Sequence, residues 1–298
     1  MDLQEFFKSD KAVAAGMWMA RLTPRWFGYS LARYTGNRIA KNRSGVYAQL
    51  SENISHIPGT NEEPGQLHEL TRRALINAGK YYYDFYHMVG KPPTEVIKKV
   101  DVPEDLLEMV RNFQASGRGV QLAGIHLSNF DLGSITLGSH GLEILGLSAA
   151  NPNQGYEFQN KIRQKYGFVA TPIEPKSLRE AITKLKNGGI VAGAIDWPKS
   201  GEPELTEVFG KPAHIPLGVA RLAIMTNAVT IAIAFYKDSH PRYQMYYSEP
   251  LDVIRTGNKQ EEIKLNTRKY LDFFEKAVSQ HPDQWMMFHK FWADQSEN

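Results

Sequence analysis

Short apolar runs alternate with helix-like stretches through the second two-thirds of the chain, and this alternation most restricts its fold. The apolar runs, each of a length typical of a buried strand, lie at 120–126, 143–149, 168–173, 190–196 and 228–236. Stretches with helical character separate them at 128–138, 154–166, 176–186 and 216–226. Strands that alternate with helices in this way predict an α/β fold, with a mainly parallel central sheet covered by helices on both faces. An added edge strand at 243–250 and a closing helix at 260–278 complete the predicted core.

The first 90 residues have a different pattern and predict an N-terminal helical extension. Three helices are expected there, in the basic segment before residue 43, at 43–54 and at 64–89, with a break at Pro58-Gly59. We therefore predict a helical, membrane-surface segment at 1–90 packed on an α/β core at 91–298. At 298 residues, one structural domain overall fits this organisation best.

The basic charge of the chain is concentrated at its beginning. Residues 1–43 contain eight lysines and arginines against three acids, interleaved with Trp18, Leu22, Trp26 and Phe27. This pattern is typical of a helix that lies in an anionic membrane surface. A helix packed on the core with a solvated basic face explains it equally well. The longest early apolar run, 12–20, is shorter than the ~18–20 residues that a membrane span needs, so we expect a peripheral protein at the cytoplasmic face of the inner membrane.

A candidate catalytic residue lies at the end of the first core strand. His126 follows the apolar run, Ser128 and Asn129 come next, and Asp131 lies in the first turn of a predicted helix. The carboxyl ends of strands in an open α/β sheet are where ligands bind. We therefore predict that His126 is a general base and that Asp131 orients it. Ser128 and Asp131 also have the spacing of a helix capping box, which gives Asp131 an alternative, structural interpretation.

Polar residues at other strand ends support a site at this edge. The predicted helix at 154–166 carries Arg163, and the fourth core strand ends at Asp196. A helix start beside His126 would present free N–H groups to a developing oxyanion, and Asn129 adds a donor. Polar strand ends that meet at one edge of a sheet favour a functional site over isolated surface residues.

Several blocks resemble, in order, those of the bacterial lipid A late acyltransferases, the lauroyl and myristoyl acyltransferases. The mycobacterial phosphatidylinositol mannoside acyltransferase looks like a relative. The blocks are H-L-S-N-F-D (126–131), N-P…R-x-x-x-G (151–167), A-I-D (194–196), V-F-G-K-P-A-H-I-P-L-G-V-A-R-L-A (208–223) and H-P-D-Q-W-M-M-F-H-K-F-W (281–292).

The resemblance implies transfer of a fatty acyl chain from an acyl-CoA or acyl carrier protein thioester to a hydroxyl of a lipid or glycolipid acceptor. No cofactor is implied beyond this co-substrate. Carried over to this chain, His126 would be the base, Asp131 its partner, and Arg163 a contact to the acceptor or the oxyanion. Asp196 would lie in the acceptor pocket, with Ser128 and Asn129 as further substrate contacts. Trp197 departs from the family, which commonly has a polar residue after that Asp.

Other functions have less support in the sequence. A non-catalytic, membrane-surface lipid-binding protein would use the same N-terminus, but it would leave His126 and its polar neighbours without a joint purpose. The absence of cysteine excludes thiol nucleophiles and thiolate metal sites, and we expect no metal site. Gly146–Ala150 approximates a serine nucleophile elbow, but Pro152 interrupts the helix that should follow directly. Nucleic-acid binding has no support either, because the sequence contains no recognition motif and its net charge is only +3.

Overall fold

The structure is a computed structural model and describes residues 10–148, 154–197 and 203–293. Its helices are α1 (Asp10–Leu22), α2 (Arg25–Asn42), α3 (Gly45–Ser55), α4 (Gln66–Met88), α5 (Pro93–Val96), α6 (Glu104–Ala115), α7 (Phe130–Ser139), α8 (Gln154–Gln164), α9 (Pro175–Lys186), α10 (Gly218–Thr226) and α11 (Lys259–Gln280). The strands are β1 (Val120–Gly124), β2 (Ile144–Ser148), β3 (Phe168–Pro172), β4 (Ile190–Ala194), β5 (Pro203–Val208), β6 (Lys211–Pro216), β7 (Val229–Tyr236) and β8 (Gln244–Tyr247).

Six of these strands form the central sheet, in the order β3-β2-β4-β1-β7-β8. All neighbours run parallel except β8, which pairs antiparallel with β7 at the edge. The predicted α/β class, the mainly parallel sheet and the added edge strand are therefore confirmed. Every carboxyl end of a parallel strand lies along one edge of the sheet, which is where the candidate site residues follow β1 and β4.

Side chains of β1 alternate between two hydrophobic clusters, one on each face of the sheet. Val120 and Leu122 pack with residues of α4, α6 and α7. Ala123 points to the opposite face, where it packs in a cluster with residues of α3, α10 and α11. Because a strand points successive side chains to opposite faces, a strand buried on both faces reads as a continuous apolar run. This is why β1 could be predicted from its composition.

A two-stranded hairpin of β5 and β6 lies outside the central sheet and was not predicted. Its strands are antiparallel, and Val208 pairs with Lys211 across a two-residue turn. Both turn residues have positive φ, 49° at Phe209 and 72° at Gly210, as a tight hairpin connection needs. The hairpin contains the first part of the block at 208–223 that resembles the acyltransferases.

Helix α2 packs on the rest of the protein through small residues spaced four apart: Gly28, Ala32, Gly36 and Ala40 are its buried positions. A side chain at Gly28 would collide with the ring of Tyr83 in α4, so the two helices approach very closely. Burial of these small residues leaves bulky apolar side chains of α2 facing solvent, and α1 exposes several more. The exposed set is Trp18, Met19, Leu22, Trp26, Phe27, Leu31 and Tyr34.

Among the described residues, no helix combines the length and the apolarity needed to cross a membrane. Residues from the first 90 positions belong to the same hydrophobic clusters as the core, Leu50 with Phe274 and Phe85 with Leu122. The boundary at residue 90 and the membrane-surface role of the segment before it stay predictions.

Candidate active site

The site forms where two neighbouring parallel strands end. Gly124 of β1 lies opposite Ala194 of β4 in the sheet register, so His126 and Asp196, each two residues further, lie side by side. His126 Nδ1 lies 2.7 Å from Asp196 Oδ1. The backbone N–H of His126 donates to the other carboxylate oxygen, Oδ2, over 2.8 Å. The carboxylate therefore holds both the backbone and the ring of the histidine.

Asp196 is fully buried, with 0% of its surface exposed, and a third donor satisfies it. The indole Nε1–H of Trp285 donates to Asp196 Oδ2 over 3.0 Å. Trp285 is itself fully buried, and its neighbour Met286 donates its backbone N–H to the carbonyl of His126. Three hydrogen bonds to one carboxylate offset much of the cost of burying its charge. Trp285 was not predicted as a site residue, although it lies in the 281–292 segment that resembles the acyltransferases.

Two aromatic rings enclose the imidazole of His126. The ring of Phe130 meets it edge-on at 4.6 Å between centroids, and that of Trp197 lies tilted at 4.9 Å. The His126 side chain keeps 18% of its surface exposed. None of the described residues forms a hydrogen bond with its Nε2. The imidazole is thus held at Nδ1 and partly exposed, and Nε2 forms no hydrogen bond with a described residue.

Asp131 does not contact His126, and the contact predicted between them is replaced by the one with Asp196. Asp131 lies in the first turn of α7 and pairs with Arg163 of α8. Arg163 Nε donates to Asp131 Oδ1 over 3.0 Å, and the Nη2 group of Arg163 donates a second hydrogen bond to the same oxygen. Both side chains are buried, with 5% of Arg163 and 8% of Asp131 exposed. The helix turns Asp131 toward α8, whereas His126 precedes the helix and follows the strand direction toward β4. Arg163 links α8 to α7 through this pair.

Asn129 caps helix α7. Its Oδ1 accepts the N–H of Leu132 over 3.1 Å, and its Nδ2 donates to the carbonyl of Tyr81 over 2.9 Å. Both ends of the amide are therefore used within the protein. The predicted Ser128–Asp131 capping box is wrong, because Asn129 is the cap and the helix begins one residue later than a cap at Ser128 would require. Ser128 is buried, has a φ of 54°, and donates its N–H to the carbonyl of Gln284.

These contacts define what the site can do chemically. An ionised carboxylate only accepts hydrogen bonds, so the pattern assigns the imidazole proton to Nδ1 of the neutral ring and a lone pair to Nε2. Such an imidazole can take a proton from a hydroxyl at Nε2. Among the described residues, no group of three or more histidines and acids is arranged to hold a metal ion. The catalytic and substrate-binding roles of the predicted residues stay predictions.

The sequence has relatives over almost its whole length. It matches the family described as bacterial lipid A biosynthesis acyltransferase over residues 6–294. It is 24% identical to a phosphatidylinositol mannoside acyltransferase of Mycobacterium tuberculosis (strain CDC 1551 / Oshkosh), in an alignment that covers 97% of this chain and 90% of that protein. It is 23% identical to the protein of the same name from Mycolicibacterium smegmatis, covering 97% and 93% of the two chains. With the family match extending over nearly every residue, the chain belongs to the bacterial lipid A biosynthesis acyltransferase family and is an acyltransferase of lipid biosynthesis.

Proposed function

We propose that this protein transfers a fatty acyl group from an acyl thioester, acyl-CoA or acyl carrier protein, to a hydroxyl of a lipid or glycolipid acceptor at the cytoplasmic face of the membrane. His126 is the general base and Asp196 is its partner. The observation that carries the proposal is the buried network in which Asp196 holds His126 at Nδ1 and at its backbone, on a ring that stays partly exposed and whose Nε2 has no hydrogen bond to a described residue.

The reaction needs one proton acceptor and no covalent enzyme intermediate. The acceptor hydroxyl oxygen attacks the thioester carbonyl carbon while its proton moves to Nε2 of His126. The tetrahedral intermediate then expels the thiolate, which takes the proton from Nε2 to leave as a thiol, and the acyl group remains as an ester. Asp196 stabilises the imidazolium formed in the middle of this sequence, as an aspartate does beside histidine in serine hydrolases.

The start of helix α7 lies next to the imidazole and supplies the electrostatic stabilisation that an acyl transfer needs. His126 is followed by Asn129, the cap, and Phe130, the first helical residue. The N-terminal end of a helix carries partial positive charge, which stabilises a developing oxyanion nearby. The buried Asp131–Arg163 pair holds α7 against α8, so we assign these two residues to positioning.

The exposed face of α1 and α2 supports a membrane contact. Trp18 and Trp26 are 67% and 70% exposed, and Leu22 is 63% exposed. Soluble surfaces seldom concentrate such residues, and an apolar patch beside arginines is typical of a helix that lies in an anionic membrane interface. The sequence left open whether this segment packs on the core or faces lipid. The small-residue stripe of α2 allows both at once.

The proposal is tested by incubating the purified protein with a radiolabelled long-chain acyl-CoA and lipid extracts of its source membrane. The reaction is then repeated with radiolabelled acyl carrier protein thioester as the donor. The wild-type protein should give an acylated lipid. His126→Ala should lower the rate about 10²–10⁴-fold, because it removes the general base. His140→Ala is the matched control, since His140 ends helix α7 at its far side and should leave the rate unchanged.

Full activity of His126→Ala would reject His126 as the base. A wild-type protein that binds the lipids but yields no product with either donor would support the alternative, a lipid-binding protein on the same scaffold.

A further inference from the structure

A polar cavity lies beyond the carboxyl end of β7, and His126 is not among the residues that line it. It has a volume of about 600 Å³ and is formed by the start of α2, the middle of α4 and the loop after β7. Arg25, Lys80 and Lys237 are its three cationic lining residues, and Trp26 lies at its wall. Ligand pockets for small molecules usually have volumes of about 300–1,000 Å³. The cavity is thus large enough for a phosphate-bearing headgroup.

Carboxylates near the cavity are largely occupied by other groups. Asp84 accepts hydrogen bonds from Tyr29, Tyr243 and Arg25, at 2.7, 2.6 and 3.1 Å. Asp283 lies 3.4 Å from Arg73. The third, Asp238, accepts the backbone N–H of His240. Arg33 and Arg73 raise the number of cations around the cavity to five, against these three acids.

Lys80 is the least satisfied of the three cations that line the cavity. It makes no hydrogen bond or ion pair with a described residue and lies 5.6 Å from the ring centre of Tyr29. Burial lowers the pKa of Lys80, and Arg33 and Lys237 lower it further, while Asp283 and Asp84 raise it. Burial likewise lowers the pKa of Lys237, and Arg25 contributes to that shift. The ammonium groups therefore lie where a bound anion would relieve both repulsion and lost solvation.

The first turn of α2 adds to the positive potential. This helix of 18 residues begins at Arg25 without a side-chain cap and without an acid in its first turn. The positive end of its dipole is consequently not neutralised by the helix's own side chains. Arg25 and Trp26, the first two residues of that turn, both line the cavity.

We propose that this cavity binds the phosphate group of a membrane phospholipid headgroup, with Lys80 as a direct contact. A lipid is favoured over a soluble phosphate because Trp26, which lines the cavity, is 70% exposed and is followed by Phe27, 40% exposed. A tryptophan at the mouth of an anion site is suited to the membrane–water interface, where headgroups lie. The inference rests on the proposed membrane contact of α1 and α2, but not on acyl transfer.

The cavity is joined to the candidate active site through the backbone. Gln284, one of the lining residues, accepts the N–H of Ser128, and Tyr81, another, accepts the amide of Asn129. A headgroup held beside Lys80 would thus be separated from His126 by the short 126–129 segment. The bound phospholipid would fix the active site at a constant depth relative to the membrane surface.

Calorimetric titration with dihexanoyl phosphatidylglycerol, kept below its critical micelle concentration, tests the cavity without a bilayer. Wild-type protein should bind this lipid, and Lys80→Gln should bind it about tenfold more weakly, since a charge-assisted hydrogen bond is lost (about 1.4 kcal/mol). Lys80→Arg should stay within about threefold of wild type because it keeps the charge. Lys264→Gln, an equal change of charge on exposed α11, is the matched control and should bind as wild type.

Titrations with inorganic phosphate and with the deacylated headgroup, glycerophosphoglycerol, distinguish the sources of phosphate. Both should bind more weakly than the lipid, and Lys80→Gln should weaken each. Soluble phosphates that bind as tightly as the lipid would overturn the lipid assignment, and equal lipid affinity of Lys80→Gln and wild type would overturn the site. Acyl transfer by the wild-type protein to a lipid dispersed in detergent is measured in parallel, so that failure of the proposed acyl transfer and failure of the cavity are read from separate assays.

Discussion

Replacement of Asp196 by asparagine separates the two candidate partners of His126. Asparagine keeps the shape of the buried side chain but removes its charge, and it loses one of the two oxygens that accept the bonds to His126 and Trp285. If the oxygen of the new amide stays with the backbone N–H and the indole N–H, its NH2 group faces Nδ1 of the ring. The proton of the neutral imidazole then moves to Nε2, which is the atom that must accept the proton of the substrate.

The size of the effect follows from these two losses. Hydrogen bonds to charged groups contribute about 1.5–3 kcal/mol, so loss of imidazolium stabilisation alone lowers the rate roughly tenfold to 150-fold. The wrong tautomer adds to this, and the same change in a serine protease triad costs about 10⁴ in kcat. We therefore expect Asp196→Asn to lower kcat by about 10²–10⁴ with little change in KM, because Asp196 is fully buried behind the imidazole that it holds.

The assay is steady-state acyl transfer, accompanied by ¹⁵N NMR of the imidazole to determine which nitrogen carries the proton. Wild-type protein should show a protonated Nδ1 and an unprotonated Nε2 in the neutral ring, and the variant should show the reverse. A variant with unchanged kcat, or a wild-type ring protonated at Nε2, would refute the assigned role of Asp196.

The matched control removes the other carboxylate together with its cation. Asp131→Asn alone should lower the free energy of unfolding by about 3–5 kcal/mol, because it removes one member of a buried ion pair. The double variant Asp131→Asn/Arg163→Gln removes both members and should recover much of that stability and most of kcat. Loss of kcat in a well-folded double variant, with normal rates for Asp196→Asn, would restore the pairing of His126 with Asp131 predicted from the sequence.

Two further predictions concern helix α2 and its neighbours. Gly36→Val should lower the free energy of unfolding by about 1–3 kcal/mol, because a Cβ there would lie 2.9 Å from the backbone nitrogen of Ile76. Chemical denaturation measures this loss. Gly45→Val is the control and should cost less, because the space around Gly45 is open. Leu22→Ser/Trp26→Ser should weaken binding to anionic vesicles at least about tenfold in a sedimentation assay, since each side chain stands to bury much of its apolar surface in lipid.

The control for the vesicle experiment is Val169→Ser/Met225→Ser. Both residues are exposed, at 38% and 58%, but they lie near the beginnings of β3 and β7, at the opposite edge of the sheet. This variant should bind vesicles as the wild type does. Equal losses in the two double variants would contradict a membrane contact specific to α1 and α2.

The parallel sheet could be predicted because its strands carry their own signal. β1 and β4 lie inside the sheet with most of their residues buried or half-buried, and they therefore consist largely of apolar residues, with Gln121 of β1 as the polar exception. The β5–β6 hairpin has no such signal: Glu204 and Glu207 are exposed, prolines lie in both strands, and only Phe209-Gly210 marks the turn. A hairpin with one partly exposed face outside the main sheet is consequently much harder to recognise.

The position of His126 was predictable from the sequence, but its partner was not. Spacing along the chain suggested Asp131, five residues away, because local motifs are all that spacing can show. Asp196 is 70 residues from His126 in sequence and adjacent in space only because β1 and β4 are neighbours in register. The order of strands in a sheet follows from packing of the whole domain. Trp285 could not be predicted for the same reason, since it lies 89 residues from Asp196 in sequence.

Helix α4 connects the two surfaces that the proposed function requires. On one side, Tyr83 and Ile76 receive the small residues Gly28 and Gly36 of α2, and this close approach turns the bulky residues of α2 outward. On another side, the carbonyl of Tyr81 accepts the amide of Asn129, which caps the helix beside His126. A shift of α4 would therefore move the exposed face of α2 and the start of α7 together. An enzyme that takes a hydroxyl acceptor from a membrane must keep its base at a fixed distance from that surface, and a single rigid helix between the two is a direct way to do so.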